Sequence, residues 1–345
     1  MDRARIRRAL GAQSVSVPLT TTGETVIATA TIAFLFPGQG SQSVGMGKDL
    51  SEKYSIARQT FQEADEALGY KLSQLCFEGP EDQLRLTEIT QPAILTVSVA
   101  ALRVLEAQIP KPSYVAGHSL GEYSAHVASG TMSFADALRT VRHRGKYMQE
   151  AVPVGTGAMA AILGMGEEKV AAVCHDAAQG EVCEPANINS PEQIVISGNT
   201  AAVERAAKLA DERGAKRAKL LPVSAPFHCS LMKPAQDRLE ADLDALSLQK
   251  PVYPVACNVD AEFVTDDLKA RDTLVRQVTG SVKWDPCVRL LIAQGVQIFV
   301  EVGPGKVLCG LMRQIDRSRT CVNVADETSL AKTLEQLTSV SEARS

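Results

Sequence analysis

The stretch Tyr114-Val115-Ala116-Gly117-His118-Ser119-Leu120-Gly121-Glu122-Tyr123 constrains the fold more than any other. A short apolar strand over 114–116 runs into Gly-x-Ser-x-Gly and then into a helical pattern. That arrangement is a nucleophile elbow, in which a strand turns sharply into a helix and the Ser hydroxyl stands exposed at the sheet edge. Glycine is needed at 117 and 121, because a side chain at either would collide with the crossing strand and helix. The Leu120 N–H then lies at a helix N-terminus, where unpaired donors and the dipole favour a developing oxyanion.

The flanking sequence alternates strands and helices, as a mostly parallel, doubly wound sheet requires. Ile32–Phe36 is a β-branched and aromatic strand ending at Pro37-Gly38-Gln39-Gly40-Ser41-Gln42. This loop is not a dinucleotide fingerprint, since position 43 is Ser rather than Gly and no Gly-Lys-Ser/Thr follows. Its backbone N–H groups can still face an anion. Helical patterns cover 51–68, a segment starting at Gln91-Pro92, the elbow helix to near Gly130, and Phe134–Glu150. Beyond Gly155, strands at 158–163, 182–188, 193–197 and 217–222 enclose helices at 167–177 and 200–213. That βαββαβ order is ferredoxin-like. Helices at 230–246 and 272–278 follow, with a strand at 252–257 between them. Then come a helix with Asp285 as N-cap and Pro286 in its first turn, a strand at 297–302 and a last loop, Gly303-Pro304-Gly305-Lys306.

The expected architecture is α/β: an α/β-hydrolase-like, mostly parallel sheet domain over 31–152 and 223–345, with an inserted ferredoxin-like subdomain over 153–222. Residues 1–30 are expected to be a disordered N-terminal extension. Arg3, Arg5, Arg7 and Arg8 with only Asp2 and Glu24 as acids also fit a transit peptide or a misplaced start.

Composition narrows the function classes. A net charge of -4 argues against a general nucleic-acid binder. No apolar run approaches the ~20 residues of a membrane span. Eight cysteines with no C-x-x-C pair and no metal-ligand spacing read as reduced thiols of a cytoplasmic protein, with no metal site.

A serine nucleophile needs a base. His126, His143 and His175 fall on helical faces, and His118, inside the elbow, points away from Ser119 as a scaffold or substrate contact. His228 lies in Ser224-Ala225-Pro226-Phe227-His228-Cys229, a loop between a strand and a helix, where α/β sites assemble. No acid stands out as a third member, though Asp211 and Asp237 are within range. Arg144 follows Ser119 by 25 residues, enough for a helix to end and the next to fold back beside the elbow. It is either a carboxylate-binding fork or, like Arg139 and Arg142, part of a solvated face.

Five motifs occur in one order: Phe36-Pro37-Gly38-Gln39-Gly40-Ser41-Gln42, Gly117-His118-Ser119-Leu120-Gly121-Glu122-Tyr123, Arg144-Gly145-Lys146, Ser224-Ala225-Pro226-Phe227-His228 and Glu301-Val302-Gly303-Pro304-Gly305. From about Ile32 onward the chain resembles the malonyl-CoA:acyl carrier protein transacylases of bacterial type II fatty-acid synthesis. The resemblance implies transfer of malonyl from malonyl-CoA to the phosphopantetheine thiol of acyl carrier protein through a malonyl-serine. It implies Ser119 as nucleophile, His228 as base, the N–H groups of Gln39 and Leu120 as oxyanion hole, and Arg144 as partner of the malonyl carboxylate. A backbone carbonyl near Gln277 would orient the imidazole, making a Ser-His dyad, and no metal or redox cofactor is required. Phe227, beside the base, is expected to wall the acyl pocket. A basic cluster of Arg213, Lys216, Arg217 and Lys219, with Lys306, is expected to dock the acidic carrier protein. The rival readings are a thioesterase or esterase using the same elbow, and a non-catalytic docking module that keeps the fold.

Overall fold

The computed structural model describes residues 31–223 and 225–342. The expectations for residues 1–30, and Ser224 of the His228 motif, lie outside the described residues. The described strands are, in chain order, β1 (Ile32–Phe36), β2 (Tyr114–Gly117), β3 (Gly157–Leu163), β4 (Cys183–Ser190), β5 (Gln193–Asn199), β6 (Arg217–Leu220), β7 (Val255–Ala256), β8 (Phe263–Val264), β9 (Ile298–Val302) and β10 (Thr320–Val324). They form two sheets.

The larger sheet has the order β10-β9-β1-β2-β7-β8 and is parallel except at the edge strand β8. β1 is five apolar residues in a row because helices cover both faces. Phe34 and Phe36 enter one core and Ala33 and Leu35 the other, beside Trp284, Val288 and Phe299. The loops after β1, β2 and β9 leave from the same carboxyl edge, the edge where open α/β sheets assemble their sites.

The smaller sheet has the order β4-β5-β3-β6, with every pair antiparallel. Side chains alternate along β3. Ala160 and Ile162 pack under the Glu167–Ala178 and Thr200–Glu212 helices, while Met159 joins the core of the larger sheet.

The Phe134–Glu150 helix shows how the sequence sets the site. Ser133 caps it, accepting the Asp136 N–H at 3.1 Å. Ala137, Val141, Arg144 and Met148 then fall on one buried stripe at helical spacing. Arg144 is therefore carried inward by the same periodicity that buries the apolar residues, whereas Arg139 is exposed.

Several local expectations are corrected. The helix expected from Gln91-Pro92 is Thr87–Glu106, with Pro92 inside it. A proline there forfeits one bond to the Glu88 carbonyl, which the packing of an almost wholly buried helix outweighs. The helix expected at 272–278 is Asp267–Arg276, started by the Asp266 side chain accepting the Lys269 N–H at 2.8 Å. Asp285 is not an N-cap; it sits in the first turn of Trp284–Ala293 and pairs with Arg289. After the last expected loop come the helix Val307–Ile315, β10 and the helix Glu327–Glu342. Nor are all the cysteines reduced. Cys309 and Cys321 form a disulfide, because that helix and β10 bring their Cα atoms to 5.3 Å. The other six are free and buried. Thr87–Glu106 is long and apolar enough to cross a membrane, and its apolar side chains are packed inside the fold.

Candidate active site

Ser119 ends the elbow with φ 51°, a left-handed backbone that costs a side-chain-bearing residue of order 1–3 kcal/mol. Its neighbours hold it there. A Cβ at Gly117 would overlap the Gly121 carbonyl, and one at Gly121 would overlap the Phe36 carbonyl. The Ser119 N–H donates to Asn258 Oδ1 at 2.7 Å, and its carbonyl accepts from Gln277 Nε2 at 3.0 Å. Asn258 also donates to the Gly117 carbonyl at 2.8 Å.

The structure brings His228 to Ser119. Ser119 Oγ lies 2.7 Å from His228 Nε2, and His228 Nδ1 lies 2.9 Å from the Gln277 carbonyl. A carbonyl only accepts, so Nδ1 carries the proton and Nε2 is left to accept from the serine hydroxyl. Burial first, and the Arg144 charge second, push the imidazole down to about 3. Neither suggested acid occupies the third place. Asp237 pairs with Lys233, and Asp211 is exposed. The other histidines lie elsewhere: His143 and His175 pair with Asp242 and Asp176, and His126 is wholly buried.

Arg144 is 2% exposed. Its Nη1 donates to Gln91 Oε1 at 2.9 Å, and its Nη2 donates to Gln277 Oε1 at 2.9 Å and to Ser119 Oγ at 3.1 Å. The guanidinium stands over the Tyr123 ring, 5.6 Å from its centroid. Among the described residues no carboxylate pairs with it, and its Nε has no partner. A buried cation held only by neutral oxygens is a ready seat for an anion.

Behind the elbow, Glu122 is wholly buried. Its Oε2 accepts from the Asn258 N–H at 2.9 Å and from Gln277 Nε2 at 2.8 Å, and burial raises its pKa to about 7. Gln277 thus touches five members of the cluster, Arg144, Ser119, Glu122, Asn258 and His228, through one amide and one carbonyl.

A cleft of about 140 Å³ opens over Ser119 and is lined by Gln39, Gln91, His118, Met159, Phe227 and their neighbours. His118 Nε2 lies 2.8 Å from Asn189 Oδ1 and its ring is beside Trp284, so one ring edge is tied to the smaller sheet. Among the described residues neither the Leu120 nor the Gln39 N–H meets a protein acceptor. Of the basic cluster, Arg213 and Lys216 are paired with Asp176 and Glu192, while Lys306 lines a separate cavity of about 920 Å³. No cluster of metal-ligating side chains exists among the described residues.

Sequence reasoning missed Asn258, Gln91 and the part played by Glu122. Asn258 was open to discovery, as a polar residue just past the carboxyl end of a strand beside β2. Gln91 carries no comparable signal.

Residues 33–341 match the acyl transferase domain family. The malonyl CoA-acyl carrier protein transacylase of Escherichia coli K12 is 51% identical over 304 residues, 88% of this chain and 98% of the relative. The solved malonyl CoA-acyl carrier protein transacylase of Coxiella burnetii superposes with a TM-score of 0.88 at 44% identity, covering 90% of this chain and 98% of that one. A malonyl-transacylase solved in complex with its type II PKS acyl carrier protein has a TM-score of 0.87 at 46% identity, covering 89% of this chain and 100% of that one. The chain belongs to the acyl transferase family, among its malonyl CoA-acyl carrier protein transacylases.

Proposed function

We propose that this protein transfers malonyl from malonyl-CoA to the phosphopantetheine thiol of acyl carrier protein, supplying fatty-acid synthesis. The names of its relatives and a relative solved with its carrier protein support the reading. The observation that carries it is Arg144, a buried guanidinium with no carboxylate partner among the described residues, 3.1 Å from the candidate nucleophile. An acyl group ending in a carboxylate fits there.

In this reading His228 Nε2 takes the Ser119 proton as Oγ attacks the thioester carbonyl. The N–H groups of Leu120 and Gln39 hold the oxyanion, and the Gln277 carbonyl stabilises the imidazolium through Nδ1. The tetrahedral intermediate collapses, the C–S bond breaks, and CoA leaves as a thiol with the proton from His228. The carrier-protein thiol then gives its proton to His228 and attacks the malonyl-serine ester, and Ser119 regains its proton as it leaves. Arg144 holds the carboxylate through both halves, and Phe227 and His118 bound the acyl pocket.

The division into a catalytic domain over 31–152 and 223–345 and a ferredoxin-like subdomain over 153–222 belongs to the same proposal. The antiparallel β4-β5-β3-β6 order with its two helices supports it. A cytoplasmic location also belongs to it, supported by the six free thiols.

The test is trapping of the acyl-enzyme by mass spectrometry with malonyl-, methylmalonyl- and acetyl-CoA. Malonyl should accumulate on Ser119, and Ser119→Ala should abolish the adduct; losing a covalent nucleophile costs on the order of 10⁶ in rate in a serine protease. A malonyl adduct elsewhere, or free malonate in place of malonyl-carrier protein, contradicts the reading.

A further inference from the structure

One buried group near the site has no place in the chemistry above. Glu122 lies three residues past Ser119, wholly buried, and does not line the cleft. A carboxyl group in such a place is costly compared with a hydrocarbon of the same size, so filling space is a poor account of it. Its partners suggest another.

Gln277 holds Arg144 with its amide oxygen and faces Ser119 and Glu122 with its amide nitrogen. A primary amide has nearly the same shape when flipped, so shape alone does not choose between the two orientations. In the flipped state the NH₂ would oppose the Arg144 N–H, and the oxygen would oppose the Ser119 carbonyl and Glu122 Oε2. The acceptors on the elbow side break that tie. They are the Ser119 carbonyl at 3.0 Å, Asn258 Oδ1 at 3.5 Å and, nearest, Glu122 Oε2 at 2.8 Å. Glu122 Oε2 is itself kept an acceptor by the Asn258 backbone N–H at 2.9 Å, which cannot reverse its polarity.

We infer that Glu122 is a positioning residue that fixes the orientation of the Gln277 amide and thereby aims Arg144 at the acyl carboxylate. The inference rests on the proposed malonyl reading, in which Arg144 binds that carboxylate.

The experiment compares kcat/KM for malonyl-CoA and acetyl-CoA across variants. Glu122→Met keeps the length and removes the acceptor. The malonyl-to-acetyl ratio should fall about 10- to 100-fold, the size of effect that orienting partners have at metal sites. Glu122→Gln should restore the ratio, since the Asn258 N–H selects the rotamer that presents oxygen. Gln277→Met deletes the same link from its other end while leaving the backbone carbonyl on His228. It should lower the ratio too, and it keeps the inference testable if Glu122→Met does not fold. The double variant should fall no further than Gln277→Met alone, because that change already removes the amide on which Glu122 acts. An equal loss for both acyl groups in Glu122→Met, an unchanged ratio in Gln277→Met, or additive losses would overturn the inference. Arg144→Ala, measured alongside, separates the two levels. If its ratio does not fall, the malonyl reading itself fails; if it falls and Glu122→Met leaves the ratio unchanged, only the role of Glu122 fails.

Discussion

The surroundings of His228, the proposed base, keep it neutral. Its backbone is left-handed, with φ 60°, and the ring is fixed at both nitrogens, by Ser119 and by the Gln277 carbonyl. A solvated imidazole titrates near neutrality. Burial and the Arg144 charge together bring the imidazole down to about 3. The sign follows directly: a lowered pKa means that protons compete for Nε2 only in strong acid. Because kcat/KM reports the free enzyme, its value for malonyl-CoA should hold level from about pH 8 to about pH 5, without the limb of an ordinary imidazole. A pH–rate profile of the acylation half-reaction checks this, and a one-proton fall near 6.5 would mean that water reaches the ring.

The elbow is the element whose tolerance is most sharply defined. A methyl group at Gly121 would meet the Phe36 carbonyl, which is backbone and cannot swing away. Gly121→Ala should therefore cost about 2 kcal/mol or more of stability, in the class of overpacked and strained sites. Gly310, in the Val307–Ile315 helix, has nothing within 4 Å of an added Cβ. Gly310→Ala should instead stabilise by about 0.5–1 kcal/mol, the helix-propensity difference. Urea denaturation of both variants checks the pair; a stable Gly121→Ala would contradict the close packing of β1 on the elbow helix. The elbow was readable because its chemistry lies in five consecutive residues, and the Phe134–Glu150 helix because its cap and its stripe are local. Asn258 was not readable, because it reaches Ser119 across 139 positions of sequence. The early start of the Thr87–Glu106 helix was hidden by a proline that tertiary packing tolerates. The Cys309–Cys321 disulfide was hidden because only the folded chain brings the two residues together.

At the scale of the whole molecule, the site is a meeting of loops from distant parts of the chain. The loop after β1 supplies Gln39, the turn after β2 supplies Ser119 and Leu120, and the Asp267–Arg276 helix ends at Gln277. The smaller sheet adds Met159 to the wall of the cleft and Asn189 as the partner of His118. Arg144 is where these parts converge, its guanidinium bonded to residues 53, 25 and 133 positions away. In the proposed reading, its burial without a carboxylate partner among the described residues sets a malonyl transferase apart from a general serine esterase on the same frame. The most direct test of the account is kcat/KM of Arg144→Ala for malonyl-CoA and for acetyl-CoA. Leaving a buried carboxylate unpaired costs roughly 2–5 kcal/mol, so malonyl transfer should fall about 30- to several-thousand-fold, while acetyl transfer, with no carboxylate to satisfy, is retained. Equal losses for the two acyl groups would contradict the account.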